Sequence, residues 1–119
     1  MAVFGSTAKM SEPSLSFSSS SDFENVYEPS DDSWLFMDAL SDEREWLLHS
    51  HPNICIEIGC GSGIILCHLA LLLKNGDSRE ANLPWFIGTD VNEFALCFSK
   101  NTFFHNKVCV FFSLQVTDI

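Results

Sequence analysis

The stretch Ile54–Gly63, with the sequence ICIEIGCGSG, decides the fold. Its first five residues, Ile54–Ile58, form a short apolar run that is rich in β-branched residues and interrupted only by Glu57, which is typical of a strand buried on both faces of a parallel sheet. Three glycines at alternate positions follow, and then comes Ile64–Lys74, a largely apolar run of helical length. Asn75-Gly76 ends that run with a C-cap signal. The stretch therefore predicts a strand, a glycine turn and a helix in immediate succession.

Further strands and helices flank this unit. The residues before it carry turn formers, possible N-caps and then an apolar helical pattern. The residues after it alternate between β-branched or aromatic runs and a capped helical pattern. The predicted elements are a helix over Asp32–His49, a strand over Trp85–Asp90, a helix over Glu93–His105 capped by Asn92, and a strand over Val108–Val116. This order predicts an α/β fold with a parallel sheet.

Length and composition exclude several classes of protein. The 119 residues suffice for one compact core, and 46% hydrophobic residues exclude a wholly disordered chain. A formal net charge of −10 makes nucleic acid an unlikely partner, because phosphate neutralisation requires a basic face. The apolar runs are shorter than the ~20 residues of a membrane-spanning helix, and no signal pattern opens the chain. We expect a soluble protein of the cytoplasm, with the nucleus as a second compartment.

The cysteines and histidines predict neither disulfides nor a metal site. The chain has five cysteines, an odd number, and none of them forms a CxxC pair. They lie in apolar runs and are expected to be buried small hydrophobes. The four histidines lack the paired spacing of metal ligands, so no metal is assigned.

The N-terminal segment differs in composition from the rest. Most of the excess negative charge lies within residues 1–45, and Ser11–Ser21 contains seven serines with no helical or strand period. Such a composition is typical of a solvated tail. We expect residues 1–22 to be a disordered acidic tail and residues 23–119 to be the ordered domain.

Each predicted strand ends near an acidic residue, namely Glu57, Asp90 and Asp118. Ligands of parallel α/β sheets bind beyond the carboxyl ends of the strands. A glycine turn before a helix N-terminus suits an anion, and an acid after the second strand suits ribose hydroxyls. Together they predict a nucleoside-containing cofactor. The structural alternatives are a glycine turn that serves packing, Asp90 as a helix cap, and Asp118 as an ordinary strand end.

The spacing of the glycines narrows the kind of cofactor. A dinucleotide fingerprint needs Gly or Ala at its sixth position, where this chain has Ile64, and a Walker loop needs a Lys-Ser or Lys-Thr that is absent. Asp90 lies 31 residues after Gly59, against the ~20 expected for a ribose-binding acid. Treating the polar stretch Asn75–Pro84 as a loop insertion restores that spacing.

The glycine motif resembles the first motif of class I S-adenosylmethionine-dependent methyltransferases. Three further stretches make the resemblance more specific: Val26–Leu40 (VYEPSDDSWLFMDAL), Thr89–Asn92 (TDVN) and Val116–Asp118 (VTD). From about residue 22 onward the chain resembles the eukaryotic and archaeal branch of the HemK-type glutamine N5-methyltransferases. The resemblance implies a Rossmann-like class I methyltransferase fold, of which this chain would form the first half. In the family's strand order, 3-2-1-4-5-7-6, the first strand is central, so here Ile54–Ile58 would be an exposed apolar edge.

The resemblance also implies roles for particular residues. Ser33 stands where the family usually has Thr, at the end of a Tyr-Glu-Pro segment that closes over S-adenosylmethionine. Glu57, Gly59 and Gly61 would line the cofactor, and Asp90 would bind its ribose. Asp118 and the backbone of Ile119 would face the adenine. Glu93 replaces the proline that the family has after the asparagine.

The family methylates the glutamine amide in the Gly-Gly-Gln loop of class 1 peptide chain release factors, together with a small zinc-binding activator subunit. Its catalytic Asn-Pro-Pro-Tyr loop does not occur in these 119 residues. We therefore assign no catalytic residue, and we expect this chain to carry the cofactor-binding half, to be inactive alone, and to be unstable or aggregated in isolation. The alternatives are an adenine-N6 DNA methyltransferase, a protein-lysine methyltransferase, and a non-catalytic short isoform that only binds the activator.

Overall fold

The computed structural model describes residues 12–76, 83–108 and 111–116. The helices are α1 (Asp31–Asp42), α2 (Arg44–Ser50), α3 (Ile64–Gly76) and α4 (Glu93–His105), preceded by a short 3-10 helix, Ser20–Glu24. The strands are β1 (Ile54–Ile58), β2 (Trp85–Asp90) and β3 (Phe111–Gln115). The sheet is parallel in the order β1-β2-β3. The structure confirms the predicted α/β fold, the first half of a Rossmann-like domain. None of the helices in these ranges is long and apolar enough to cross a membrane.

The predicted single helix over Asp32–His49 is wrong, because the structure divides it into α1 and α2. The break lies at Glu43, whose φ of −94° and ψ of 9° leave the helical region. Two residues earlier, the Ser41 hydroxyl donates a hydrogen bond to the Met37 carbonyl at 3.0 Å. Such bonding back to the preceding turn bends helices, and the Ser-Asp pair before Glu43 has low helix propensity. The bounds predicted for β1, β2 and α4 agree with the structure.

The core lies between one face of the sheet and the helices. Phe86 in the middle strand is fully buried and packs against α3 and α4, while α1 and α2 contact α3. The Phe103 ring of α4 stacks on Phe111 of β3 with a centroid distance of 4.1 Å. The buried cluster consists of Leu66, Cys67, Ala70, Leu73, Phe86, Phe103 and Val108. All the described helices therefore cover the same face of the sheet.

The opposite face of the sheet is exposed and apolar. In the described structure β1 forms an edge of the sheet, as the sequence predicts, but it is not buried on both faces. Ile58, for example, is 88% exposed. The Trp85 and Phe112 rings contact each other on this face at 5.3 Å. The exposed residues are Ile54, Ile56, Ile58, Trp85, Phe112 and Leu114. The prediction of burial on both faces is wrong for β1, because the described helices cover one face only.

Part of the predicted tail lies against α4. The rings of Phe17 and Phe23 pack on the Phe98 ring, with centroid distances of 5.2 and 5.5 Å. The Ser14 backbone N–H donates to the Asn106 side chain at 2.7 Å, and the Asn106 amide donates back to the Ser14 carbonyl at 2.9 Å. The structure places Ser14, Phe17 and Phe23 against α4, while residues 1–11 lie outside the described residues. The domain limits themselves stay a prediction.

Gly63 lets α3 start close to α4. A Cβ atom at this position would lie 2.7 Å from the Ser99 Cβ and 3.0 Å from its Cα, and the φ of Gly63 is +78°. The Thr102 hydroxyl of α4 donates to the Ser62 carbonyl at 2.7 Å, which fixes the same contact. Both the backbone angle and the packing therefore require glycine.

Replacing Gly63 by alanine is expected to destabilise the fold more than replacing Gly59. Gly59 has nearly the same φ, +73°, but a Cβ there meets nothing within 4 Å. Both variants lose about 1–2 kcal/mol to the left-handed backbone. Gly63→Ala loses about 1–3 kcal/mol more, because the new methyl overlaps the Ser99 backbone. Urea unfolding of the full-length protein measures both, and equal losses would contradict the close helix contact.

Candidate functional site

A cleft of about 430 Å³ opens at the carboxyl ends of β1 and β2. Its walls are the glycine turn over residues 59–63, the first residues of α4, and Val26–Ser33, which we call the Tyr27 segment. Of the residues predicted to bind the cofactor, the cleft brings together Ser33, Glu57, Gly59, Gly61 and Asp90. The other two, Asp118 and Ile119, lie outside the described residues.

The glycine turn presents backbone to the cleft. Gly59 and Gly61 have φ values of +73° and +54°, which residues with a Cβ rarely adopt. A Cβ on either would meet nothing within 4 Å, so the space beside both residues is open. The turn is held by the Cys60 N–H, which donates to the Thr89 carbonyl at 2.8 Å. It leads into the N-terminus of α3, whose positive end favours an anion; there the Ile64 N–H already donates to the Ser62 hydroxyl at 3.4 Å and the Leu66 N–H to Glu57.

Asp90 is the most constrained of the polar groups in the cleft. One carboxylate oxygen accepts from the Gly61 N–H at 3.0 Å, and the other accepts from the Asn92 N–H at 3.0 Å. The cap of α4 is Asn92, whose side-chain oxygen accepts from the Phe94 N–H at 3.0 Å. Asp90 therefore supports the turn before α4 without being its N-cap. A carboxylate can accept about four hydrogen bonds, so Asp90 retains capacity for the hydroxyls of a ligand.

Glu57 lies deeper in the cleft. Its Oε1 atom is buried and has no hydrogen-bond partner among the described residues. The pKa of Glu57 is raised from 4.5 to about 7, chiefly by desolvation; a hydrogen bond from the Leu66 backbone N–H, in the first turn of α3, lowers it, and the nearby negative charge of Asp90 contributes a smaller rise. A buried acceptor without a donor is costly and rare in folded proteins. A cationic or hydrogen-bond-donating ligand group would satisfy it.

The raised pKa of Glu57 makes stability depend on pH. A carboxyl group whose pKa is higher in the folded state binds protons more tightly there than in the unfolded chain. The folded state consequently loses stability as the pH rises from about 4.5 through about 7, where the buried group ionises. Such a loss of folding stability is typical of functional sites, where the binding of a ligand offsets it.

The Tyr27 segment is held in a turn by its own side chains. The Tyr27 hydroxyl donates to the Asp32 carboxylate at 3.1 Å, and the Ser30 hydroxyl donates to the same carboxylate at 2.6 Å. These hydrogen bonds, Ser30 first and Tyr27 second, lower the pKa of Asp32. The Ser33 hydroxyl accepts from the Ser30 N–H at 3.2 Å, so its own proton is available to a ligand. Ser33 is nearly buried at the start of α1.

The thiol nearest the cleft is not a nucleophile. Burial raises the pKa of Cys60 to about 11, so the thiol stays protonated at neutral pH. Cys55 and Cys67 are also at least half buried, whereas Cys97 is exposed, which contradicts the prediction for that cysteine. Cys109 lies outside the described residues. In the part of the chain that the structure describes, no three His, Cys, Asp or Glu side chains gather where they could hold a metal ion.

Some lining residues were missed in the sequence. Phe36 adds an aromatic ring to the wall formed by α1, and Ile65 adds an apolar side chain from α3. Phe36 could have been found, because it lies three residues after Ser33 and therefore on the same helical face. The hydrogen bond between Asn92 and Asn25, the residue before the Tyr27 segment, could not be predicted from neighbouring residues. The Asn92 amide donates to the Asn25 carbonyl at 2.6 Å across 67 positions of sequence.

The cleft combines features that suit an amphipathic nucleoside. Three carboxylates line it, those of Asp32, Glu57 and Asp90, and one oxygen of Glu57 has no donor among the described residues. The glycine turn and the N-terminus of α3 line the same space. A cationic group can pair with Glu57, hydroxyl groups can donate to Asp90, and an anionic group can bind the α3 N-terminus. The apolar side chains of Phe36, Ile65 and Ala95 line the same space.

Known proteins with similar sequences were found among the methyltransferases. Methyltransferase HEMK2 of Homo sapiens is 33% identical over 86 residues, which cover 72% of this chain and 36% of the human protein. Methyltransferase HEMK2 of Mus musculus is 32% identical over 88 residues, which cover 74% of this chain and 37% of the mouse protein. The chain thus spans little more than a third of the length of these relatives. No protein-family profile matches it.

The two relatives and the parallel sheet with its glycine turn point in the same direction. The match extends over nearly three quarters of the chain, and the fold is the first half of the Rossmann-like domain that the resemblance implies. The chain belongs to the HemK-type methyltransferase family.

Proposed function

We propose that this chain forms the S-adenosylmethionine-binding half of a protein methyltransferase whose substrate is the glutamine amide in the Gly-Gly-Gln loop of a class 1 peptide chain release factor. The observation that carries the proposal is the buried Glu57 Oε1 atom, which has no hydrogen-bond partner among the described residues and shares one cleft with the anchored Asp90. The methyl donor has an ammonium group for the first and ribose hydroxyls for the second.

The chain's own residues divide the cofactor among them. Glu57 would bind the ammonium, the N–H groups at the start of α3 would bind the carboxylate, and Asp90 would accept from the ribose hydroxyls. The Ser33 hydroxyl would donate from the opposite wall of the cleft. Asp118 and the Ile119 backbone are proposed for the adenine, on the family resemblance alone. When bound, S-adenosylmethionine supplies an electrophilic methyl group.

We assign binding and orientation to these residues, and no catalytic residue. Because an amide nitrogen is a poor nucleophile, transfer of the methyl group to it depends on positioning the amide against that methyl group. In the family an Asn-Pro-Pro-Tyr loop positions the amide, and the 119 residues contain no such sequence. The small zinc-binding activator subunit is proposed as a partner on the same resemblance.

The Asp90 carboxylate is expected to dominate binding of the cofactor. Two hydrogen bonds to a charged group are worth about 3–6 kcal/mol, so Asp90→Ala should weaken binding of S-adenosylhomocysteine at least about 100-fold in titration calorimetry of the full-length protein. Asp90→Asn keeps one acceptor oxygen and should give a smaller loss. Asp38→Ala removes the same charge from an exposed site on α1 and should change nothing. Equal affinities for wild type and Asp90→Ala would contradict the role of Asp90.

The substrate is tested by labelling. The full-length protein with its activator subunit, supplied with S-adenosylmethionine carrying a labelled methyl group, is expected to label a class 1 release factor. Replacing the glutamine of the Gly-Gly-Gln loop by alanine in the release factor should abolish the label, because it removes the amide nitrogen. Label on adenine in DNA, or on a protein lysine, would overturn the proposed substrate in favour of the corresponding alternative.

A further inference from the structure

The Asn92 side chain joins two parts of the chain that are distant in sequence. Its oxygen accepts from the Phe94 N–H at 3.0 Å and so caps α4. Its nitrogen donates to the Asn25 carbonyl at 2.6 Å. A cap requires only the oxygen, and serine or aspartate would supply one equally well. The amide nitrogen is what distinguishes asparagine from these residues at this position.

Through Asn92, hydrogen bonds connect the glycine turn and the start of α4 to Asn25, the residue next to the third wall of the cleft. The Gly61 N–H in the glycine turn donates to Asp90, and the Asn92 N–H donates to the other oxygen of the same carboxylate, each at 3.0 Å. The Asn92 side chain then continues to Asn25, the residue before the Tyr27 segment. The glycine turn, the end of β2 and the Tyr27 segment are thus parts of one chain of contacts.

The Tyr27 segment is attached at its C-terminal end because Asp31–Ser33 belong to α1, which packs on α3; its N-terminal end meets α4 at the Asn25 contact. The hydrogen bonds of Tyr27, Ser30 and Asp32 lie within the segment, so they shape its turn without tying it to the sheet. On its N-terminal side, the Phe23 ring rests on Phe98 of α4. Asn25 lies between that contact and the buried Val26, the first residue of the cleft wall.

We propose that Asn92 is a positioning residue that sets the distance between the Tyr27 segment and Asp90, and thereby the rate at which the cofactor leaves the cleft. The inference rests on the proposed function. It assigns to Asn92 no contact with the cofactor: its amide holds the wall that carries Tyr27 and Ser33 in place, while its backbone N–H holds the Asp90 carboxylate. Without the amide donor, the N-terminal end of the Tyr27 segment is released while α4 keeps its cap.

Two variants of the full-length protein separate the amide donor from the cap. Asn92→Ser and Asn92→Asp both retain an oxygen that caps α4. Serine is too short to reach Asn25, and aspartate opposes a carboxylate to the Asn25 carbonyl. We expect each to weaken binding of S-adenosylhomocysteine about tenfold, through faster dissociation. The binding stoichiometry and the kcat at saturating S-adenosylmethionine should stay at the wild-type value, while the KM for the cofactor rises. Amide hydrogen exchange at Asn25 and Val26 should accelerate.

The matched control is Asn101→Asp, which adds the same charge to an exposed position of α4 and should leave the affinity unchanged. Wild-type affinity in Asn92→Ser would overturn the inference, as would weaker binding only in Asn92→Asp, since charge alone would then be the cause. A fall in stoichiometry, in place of affinity, would show a damaged fold and overturn it too. If the wild-type protein binds no cofactor, the proposed function fails together with the inference; if it binds and Asn92→Ser matches it, only the inference fails.

Discussion

The hydrogen bond from the Gly61 N–H to the Asp90 carboxylate is the interaction on which the rest of the site depends. The parallel pairing of β1 with β2 brings their carboxyl ends to one edge of the sheet, and this hydrogen bond joins the turn after β1 to the end of β2 there. The turn can make this contact because Gly59 and Gly61 adopt positive φ values and expose backbone. Gly63 then lets α3 begin against α4. Glycine is thus required at Gly59 and Gly61 for the positive φ, and at Gly63 also for the close approach to Ser99.

The cleft contains one buried polar atom, Glu57 Oε1, that has no hydrogen-bond partner in the described structure. Glu57 is removed from water, lies near a second carboxylate, and has one oxygen without a donor in the described structure. An apolar residue at this position would stabilise the sheet better, since a buried unpaired carboxyl costs free energy. The arrangement favours a ligand that brings a cation to Glu57 and hydroxyls to Asp90, which is the chemistry of the proposed methyl donor. In the described structure, the face of the sheet opposite the helices is likewise apolar and exposed.

The sequence predicted correctly the strands and helix ends whose limits depend on neighbouring residues. Ile54–Ile58 and Trp85–Asp90 were correct because short apolar runs close on turn formers, and the start of α4 was correct because Asn92 is a strong cap. The break at Glu43 was missed, since the apolar pattern continues through it. The contacts of Phe17 and Phe23 with α4 were missed because the surrounding serines gave the segment no helical or strand period. The contact of Asn92 with Asn25 could not be predicted, because it depends on tertiary structure alone. For Asp118 and Ile119 the roles stay predictions.

Proton release on cofactor binding tests the central claim, that Glu57 receives the ammonium group of the ligand. At pH 6 the free protein holds Glu57 mostly protonated, because its pKa is about 7, whereas the ammonium of S-adenosylhomocysteine is charged both free and bound. Pairing lowers the pKa of Glu57, so calorimetry in buffers of different ionisation enthalpy should show about one proton released, and almost none above about pH 8. Glu57→Gln should release none. Equal proton release by wild type and Glu57→Gln at pH 6 would contradict the account.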